Sequence, residues 1–396
     1  MAAKRSTTVG VLFGGRSVEH DVSIVTGHQV MRAFDSALYE TVPLYIDRDG
    51  RWFTGEPLLD LKAFEKDIRT LDGVEEVILS PNTNHHGIIL NPLPTGMFAK
   101  PQVKRLDVIF PALHGTHGED GTVQGLCELA DIPYVGCGVL ASAVANDKVM
   151  TKVVLKQHSI PVLDAVSFSR AEWMQAPDNV IQHITSVLKY PVFVKPATLG
   201  SSIGIARAAD EAMLRAAIDV ATSFDRRVLV EQGVTAAVEI NCAVMGNDND
   251  IRASILEQPV SWEEFLTFEQ KYLHGNEGMK SAERIIPAPI PAQTAAQIQE
   301  IAVRAFQALD GRGTARIDFL LRGDEVYLNE LNTMPGSLAF YLWQEMGMPA
   351  RDVVHRLVRL AQDAHAEKRK NTYNYQTSLV GLTAQRGLKG SKGSKR

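Results

Sequence analysis

The sequence predicts an α/β protein built of three globular parts, and three segments carry that expectation. Val9–Phe13 is a short apolar run that stops at Gly14-Gly15. Helical periodicity follows from about Asp21 to Phe34, the pattern of a buried strand feeding a helix. Val192–Lys195 is a second apolar run, and it ends in a turn rich in glycine and serine. Gly313–Gly336, GTARIDFLLRGDEVYLNELNTMPG, holds two apolar runs around Arg322-Gly323-Asp324-Glu325, which reads as strand, turn, strand.

In chain order, residues 1–146 make the first part. Thr41–Ile46 and Leu106–Phe110 join Val9–Phe13 as strand candidates, and helical segments between strands favour parallel pairing. Residues 54–104 are rich in loop formers, with Pro81, Pro92, Pro94 and Gly96, and read as an insertion or a covering hairpin. The second part, 147–230, opens with a helix from Asp147 to about His158. It continues through strand Val192–Lys195, a loop Thr198–Gly204, a further strand Ile203–Ala206, helix Asp210–Thr222 and strand Arg227–Glu231. The third part, 231–365, contains the strand pair of Gly313–Gly336 and closes with an amphipathic helix, Ala350–Ala364. Residues 366–396 lack periodicity, end in GLKGSKGSKR and read as a disordered basic tail.

Composition narrows the function. With 396 residues and a formal net charge of -5, the chain can bury large cores and gives no support for bulk nucleic-acid binding. Cys127, Cys137 and Cys242 have neither metal-binding nor redox spacing, which fits a reducing compartment. MAAKRSTT leads into VGVLF with no apolar stretch of signal-peptide length, and no run is long enough to span a bilayer. The expected location is cytoplasmic, without membrane insertion.

The Gly313–Gly336 segment carries the most chemistry. With the turn centred on Asp324, Asp318 stands opposite Glu330 and Arg316 opposite Asn332. Side chains alternate faces along a strand, so these four share one face, and Ile317, Phe319, Leu321, Tyr327 and Leu331 form the apolar other. Two carboxylates and an amide oxygen converging on one spot make a hard-oxygen site suited to Mg²⁺. A solvated charged face with one cross-strand ion pair is the alternative. The Thr198–Gly204 loop lets backbone N–H groups approach phosphate oxygens, but it lacks Walker spacing and alone reads more readily as a turn. Lys195 changes that balance, because a lysine inside an apolar strand is costly unless an anion partners it.

Other candidates are weaker singly. Glu231 ends a strand and Glu239 follows it, both suited to accept hydrogen bonds from an adenine amino group and ribose hydroxyls, or simply to face solvent. Glu19 stands at the start of the helix after Gly14-Gly15. His114 lies in FPALHGTHGEDG at the C-terminal end of a strand, the edge where open α/β sheets bind ligands. Taken alone, it reads as a satisfied loop histidine.

Seven segments occur together in one order: GGRSVEHDVS, HGTHGEDGTVQG, NDKVMTK, FVKPATLGSSIG, VLVE…VEI, QKYL and RIDFLL…VYLNELNTMPG. On them the chain, over about 9–364, resembles the D-alanine–D-alanine ligases, members of the ATP-grasp superfamily. The resemblance implies an ATP-grasp fold, with a Rossmann-like N-terminal domain followed by two α+β domains enclosing ATP. It implies ATP-dependent ligation of two D-alanines through an acyl phosphate, for peptidoglycan precursor synthesis, and commonly a homodimer.

It also implies roles. Lys148 and Lys195 would contact the phosphates, with Ser202 of the loop beside them, while Glu231 would take the adenine and Glu239 the ribose. Asp318, Glu330 and Asn332 would hold two Mg²⁺ ions, with Mn²⁺ as a substitute. Glu19 would bind the ammonium of the first D-alanine. Arg316 and the backbone N–H of Gly336 would stabilise the developing oxyanion. Ser201 would hydrogen-bond with Glu19 and with a lid tyrosine, Tyr272, while Lys271 reaches the transferring phosphate. His114 would stand on the substrate side.

One segment departs from the family. After Asn-Thr-x-Pro-Gly the family usually continues to a Ser-Leu or similar pair that holds the carboxylate of the second amino acid. Here the chain reads SLAFYLWQEMG and places Tyr341 and Leu342 there. The expectation is a rebuilt pocket using the hydroxyls of Ser337 and Tyr341 and a helix N-terminus at Ser337–Leu338. Ligation of D-alanine to D-serine, D-lactate or another amino acid is the alternative.

Overall fold

The computed structural model describes residues 6–91, 102–248, 250–260 and 284–373, which fold around three sheets. β1 (Thr7–Gly14) is buried from Thr8 onward, so it can only lie inside a sheet covered on both faces. It pairs in parallel with β2 (Tyr39–Ile46) on one side and β7 (Val108–Pro111) on the other, and α1 (His20–Ala33) connects β1 to β2. β3 (Trp52–Thr54), β4 (Glu75–Leu79), β5 (Gly87–Leu90) and β6 (Val103–Arg105) extend the sheet antiparallel, in the order β6-β5-β4-β3-β2-β1-β7. The stretch read as an insertion, so far as it lies within the described residues, is therefore an extension of the first sheet. Val77, Leu79, Ile88 and Ile89 are buried, and runs this short are masked in sequence by the turn residues around them.

α2 (Thr122–Ala130) and α3 (Val139–Asn146) lead to α4 (Lys148–Gln157). Asp147 caps α4, accepting from the N–H groups of Val149 and Met150 at 3.1 Å each. The second sheet contains β8 (Ala165–Ser169), β9 (Val192–Pro196), β10 (Ala206–Ala208) and β11 (Arg227–Gln232), antiparallel in the order β10-β9-β11-β8. α5 (Arg170–Gln175), α6 (Pro177–Val187) and α7 (Glu211–Phe224) complete this part. The strand expected from Ile203 begins only at Ala206, because Ser201, Ser202 and Gly204 have positive φ and hold the preceding residues in a turn.

The third sheet runs β14-β13-β12-β15-β16, from β12 (Val238–Asn247), β13 (Asp250–Pro259), β14 (Arg284–Ile285), β15 (Gly313–Arg322) and β16 (Glu325–Asn332). α8 (Ala292–Ala308) joins Ile298, Ile301 and Phe306 to Ile240, Val244, Ile317 and Phe319 in one core. Each such buried side chain contributes about 1.5–3 kcal/mol. α9 (Phe340–Gln344) and α10 (Ala350–Lys368) follow. α10 outruns its expected end at Ala364, and His365 Nε2 meets Asp131 Oδ1 at 2.9 Å. Of the expected tail, residues 374–396 lie outside the described residues.

Near the site the register is the one expected: Arg316 pairs with Asn332, Ile317 with Leu331 and Asp318 with Glu330. Nearer the turn it shifts, since Arg322 pairs with Glu325 and Phe319 with Leu328. One residue, Asn329, is extra, a bulge that lets Leu328 face the core while Asn329 and Glu330 both turn toward the polar side. The apolar face is thus Ile317, Phe319, Leu321, Val326, Leu328 and Leu331, and the expected Tyr327 is only partly buried.

Candidate active site

Direct cross-strand pairing links Glu257 to Asn241, Asn241 to Asp318 and Asp318 to Glu330. Side chains directly opposite in antiparallel strands point to one face, so these four form a polar row across β13, β12, β15 and β16. Asp318 is 2% exposed, and its burial is offset by donors on several sides. Arg316 Nε and Nη2 each lie 2.7 Å from its oxygens, and Asn332 Nδ2 donates at 3.0 Å. With its amide turned to satisfy its acceptors, Asn241 donates to Asp318 Oδ1 at 3.1 Å and Glu239 Oε1 at 3.2 Å. Glu239 itself is exposed.

Among the described residues no three His, Cys, Asp or Glu side chains form a metal cage. The donors offered on this face are hard oxygens, the carboxylates of Asp318 and Glu330 and the amide of Asn332. That set fits Mg²⁺, which is usually held by one or two carboxylates together with substrate phosphates.

The lysines expected on the phosphate side come from other elements. Lys195 on β9 donates to Glu231 Oε2 at 2.5 Å and to Asn329 Oδ1 at 3.2 Å. Lys152 pairs with the other oxygen of Glu231. Burial alone would raise the Glu231 carboxyl, but Lys195 and Lys152 outweigh it and hold it down at about 2. The residue expected to face adenine is thus engaged with two ammonium groups, because a carboxylate 2% exposed needs counter-charge. Lys152 was not singled out in the sequence, although it lies four residues from Lys148, on the same helical face of α4. Lys148 Nζ donates to Leu199 O at 2.6 Å. Burial lowers its pKa, and the Glu330 carboxylate partly offsets that. Thr198 fixes the start of the loop on Asp225 Oδ2, through its N–H and hydroxyl at 2.8 Å each.

On the third side, Glu19 is 8% exposed and accepts from Ser201 Oγ, so the loop of the second part touches the first turn of α1. Gly115, at φ +67, closes over this carboxylate, and a Cβ there would lie 2.6 Å from Glu19 Oε2. His114 is 4% exposed. Its Nδ1 meets Met334 O at 3.0 Å and its Nε2 meets Thr26 Oγ1 at 2.8 Å. A carbonyl only accepts, so Nδ1 carries the proton, and burial keeps the ring neutral by lowering its pKa. Both ring nitrogens are thus engaged within the protein.

Glu119, in the same segment, escaped the sequence reading. Its oxygens accept from Gly115 N and Met334 N, each at 2.9 Å, and burial together with nearby Glu19 pushes its carboxyl up to about 8. Glu119 and His114 therefore hold Met334 N and O, docking the Asn-Thr-Met-Pro-Gly run onto the first part.

The departing segment is built differently from expectation. Ser337, Leu338 and Ala339 all have φ of 49°, and the helix starts only at Phe340, so no helix N-terminus forms at Ser337–Leu338. Gly336 opens this short turn. The Tyr341 hydroxyl donates its single proton to Glu257 Oε2 at 2.5 Å. Burial raises its pKa, and Glu257 adds to the shift. Lys271 and Tyr272 lie outside the described residues.

The family described as D-ala D-ala ligase N-terminus matches residues 8–137, and that described as D-ala D-ala ligase C-terminus matches residues 154–359. A D-alanine--D-alanine ligase of Thermosipho africanus (strain TCF52B) is 38% identical over 381 residues, covering 96% of this chain and 99% of that protein. The solved D-alanine-D-alanine ligase from Coxiella burnetii superposes with a TM-score of 0.77 at 28% identity, covering 97% of this chain and 99% of that one. The VanG D-Ala:D-Ser ligase from Enterococcus faecalis superposes with a TM-score of 0.77 at 29% identity, covering 90% of this chain and all of that one.

Proposed function

The chain belongs to the D-alanine–D-alanine ligase family, and from that premise we propose how its residues perform the ligation. Its fold is ATP-grasp, and it joins two D-alanines to D-alanyl-D-alanine with ATP as co-substrate, for peptidoglycan synthesis. Among the described residues no helix is long and apolar enough to cross a membrane. A cytoplasmic location, where ATP is supplied, is part of this proposal.

Lys148 and Lys195 hold the ATP phosphates over the Thr198–Gly204 loop, where Ser202 and backbone N–H groups add donors. Glu231 keeps lone pairs beyond those that its lysines use and accepts from the adenine amino group, while the exposed Glu239 reaches the ribose. Asp318, Glu330 and Asn332 would hold Mg²⁺, which when bound neutralises phosphoryl charge. Glu19, oriented by Ser201, receives the ammonium of the first D-alanine. The carboxylate of that D-alanine takes the γ-phosphoryl group, giving an acyl phosphate and ADP. The amine of the second D-alanine attacks the acyl carbon, loses a proton, and phosphate departs. Arg316 and the N–H of Gly336 stabilise the oxyanion formed on the way.

The observation that supports this reading best is the placement of the polar row between its partners. Glu330 acts on Lys148 from one side, and Arg316 acts on Glu119 beside Glu19 from the other. The direct test supplies ATP, Mg²⁺ and D-alanine and reads ADP and product mass. D-Alanine-dependent ADP release with D-alanyl-D-alanine is expected. D-Serine or D-lactate in the same assay, preferred over D-alanine as acceptor, would move the reading to another ligase. ADP release indifferent to D-alanine would overturn it.

A further inference from the structure

The polar row does not stop at the metal face. Its far member, Glu257, lies two strands from Asp318, about 10 Å away at ordinary strand spacing. Glu257 is 2% exposed and accepts from the Tyr341 hydroxyl at 2.5 Å. On the next strand, Arg284 lies over the Tyr341 ring, 4.1 Å from guanidinium carbon to ring centroid, and its Nε is 3.5 Å from Glu257 Oε1. The cluster lies within electrostatic reach of Arg316, which acts on Tyr341.

The plain alternative is an ion pair that ties β14 to β13. The geometry argues against that as its whole purpose. A guanidinium used only to neutralise a buried carboxylate closes its fork on it, as Arg316 does on Asp318 at 2.7 Å on both arms. The nearest approach of Arg284 to Glu257, Nε to Oε1 at 3.5 Å, is loose, while the ring beneath it fixes its plane. Glu257 and Tyr341 thus orient the guanidinium and leave its forked edge to recognise a planar anion.

We propose that Arg284 binds the carboxylate of the acceptor D-alanine, with Tyr341 and Glu257 as its positioning residues. This rests on the ligase reading and deepens it. The acceptor must place its amine near Arg316 and Gly336 while its carboxylate loses water, and an unpaired buried carboxylate is costly. Arg284 supplies that charge at the end of the same polar row.

The test separates the acceptor carboxylate from the rest of the acceptor. D-Alaninamide keeps the amine and methyl group, lacks the carboxylate and cannot serve as donor. Wild-type enzyme is expected to prefer D-alanine over D-alaninamide strongly as acceptor, read as dipeptide against dipeptide amide by mass. Arg284→Gln should raise the acceptor KM for D-alanine about 10- to 100-fold, the range for a charged hydrogen-bonded pair, and change that for D-alaninamide little. The KM at the donor site should move less than about threefold. Arg284→Lys keeps the charge beside Glu257 and so protects the fold, yet should still lose about tenfold for D-alanine, because the fork is gone. Equal losses with both acceptors, or an unchanged acceptor KM in both variants, would overturn the proposal. A wild-type enzyme that makes no dipeptide would overturn the ligase reading itself, a different result.

Discussion

Arg316 closes its guanidinium fork on Asp318, with Nε and Nη2 each 2.7 Å from a carboxylate oxygen. The two are separated by one residue on β15, so alternation places both on the same face. One carboxylate therefore answers to Arg316, Asn332 and Asn241 at once, as well as to any cation bound there.

Asp318 and Glu330 should consequently fail in different ways. Glu330→Gln is expected to cut kcat by about 10²-fold or more at saturating Mg²⁺, with little change in melting temperature, because charge stabilisation in the transition state is lost. Asp318→Asn should lose comparable turnover and also stability, since half-buried Arg316 is left without its counter-charge, a cost of about 1–3 kcal/mol. Steady-state ADP release and thermal unfolding on both variants check this. Near-wild-type turnover in both would remove the clamp assignment.

The register that brings Asp318 to Glu330 and Arg316 to Asn332 was legible in the sequence, because two apolar runs around a turn leave little freedom in pairing. The bulge at Asn329 was not. A single extra residue leaves no mark in composition, and strict alternation assigned Tyr327 rather than Val326 and Leu328 to the core. Glu119 and Lys152 were missed for another reason. Their roles depend on partners far along the chain, Met334 and Glu231, and charged residues in a loop or on a helix face look solvated until the tertiary fold is known. Tyr341 was found by its departure from the family pattern, but its proton goes to Glu257, which no spacing rule connects to it.

Glu19 and Ser201 make a second, separable contact, joining the start of α1 to the glycine-rich loop. Glu19→Gln would remove one side of the proposed ammonium ion pair. It should raise KM for the first D-alanine far more than KM for ATP. Ser201→Ala should do the same more weakly, by several-fold, since it only frees the carboxylate to reorient. Initial-rate kinetics with each substrate varied in turn will distinguish them. Equal rises in both constants for Glu19→Gln would point to a structural role at the helix start.

Glu231 makes stability depend on acid in a stated direction. Its folded pKa of about 2 lies below the ~4.3 of an unfolded glutamate, so its contribution is complete above pH ~4.3 and fades as pH falls toward 2. The linkage amounts to about 3 kcal/mol. Glu231→Gln should be less stable than wild type at pH 6, and the gap should narrow by about 1 kcal/mol at pH 3.5. Urea unfolding at the two pH values measures the gap. A gap that widens on acidification would contradict the assignment of Lys152 and Lys195 as its partners.

His114 offers the sharpest choice between a ligand and a tie. It was expected on the substrate side, yet its two ring nitrogens join Thr26 on α1 to the Met334 carbonyl, two residues before Gly336. His114→Ala leaves that carbonyl and the fully buried Thr26 hydroxyl without their partner, each costing about 1–3 kcal/mol. The melting temperature should fall by several degrees. Turnover should fall with it, because Met334 is then held by Glu119 alone through its N–H. Substrate KM values should move much less than kcat. Thr26→Val provides the control. It removes the hydroxyl that meets Nε2 and keeps the Nδ1 bond to Met334, so it should reproduce part of the stability loss and spare turnover. If His114 instead touched substrate, His114→Ala would raise a D-alanine KM at unchanged melting temperature, and Thr26→Val would be nearly silent.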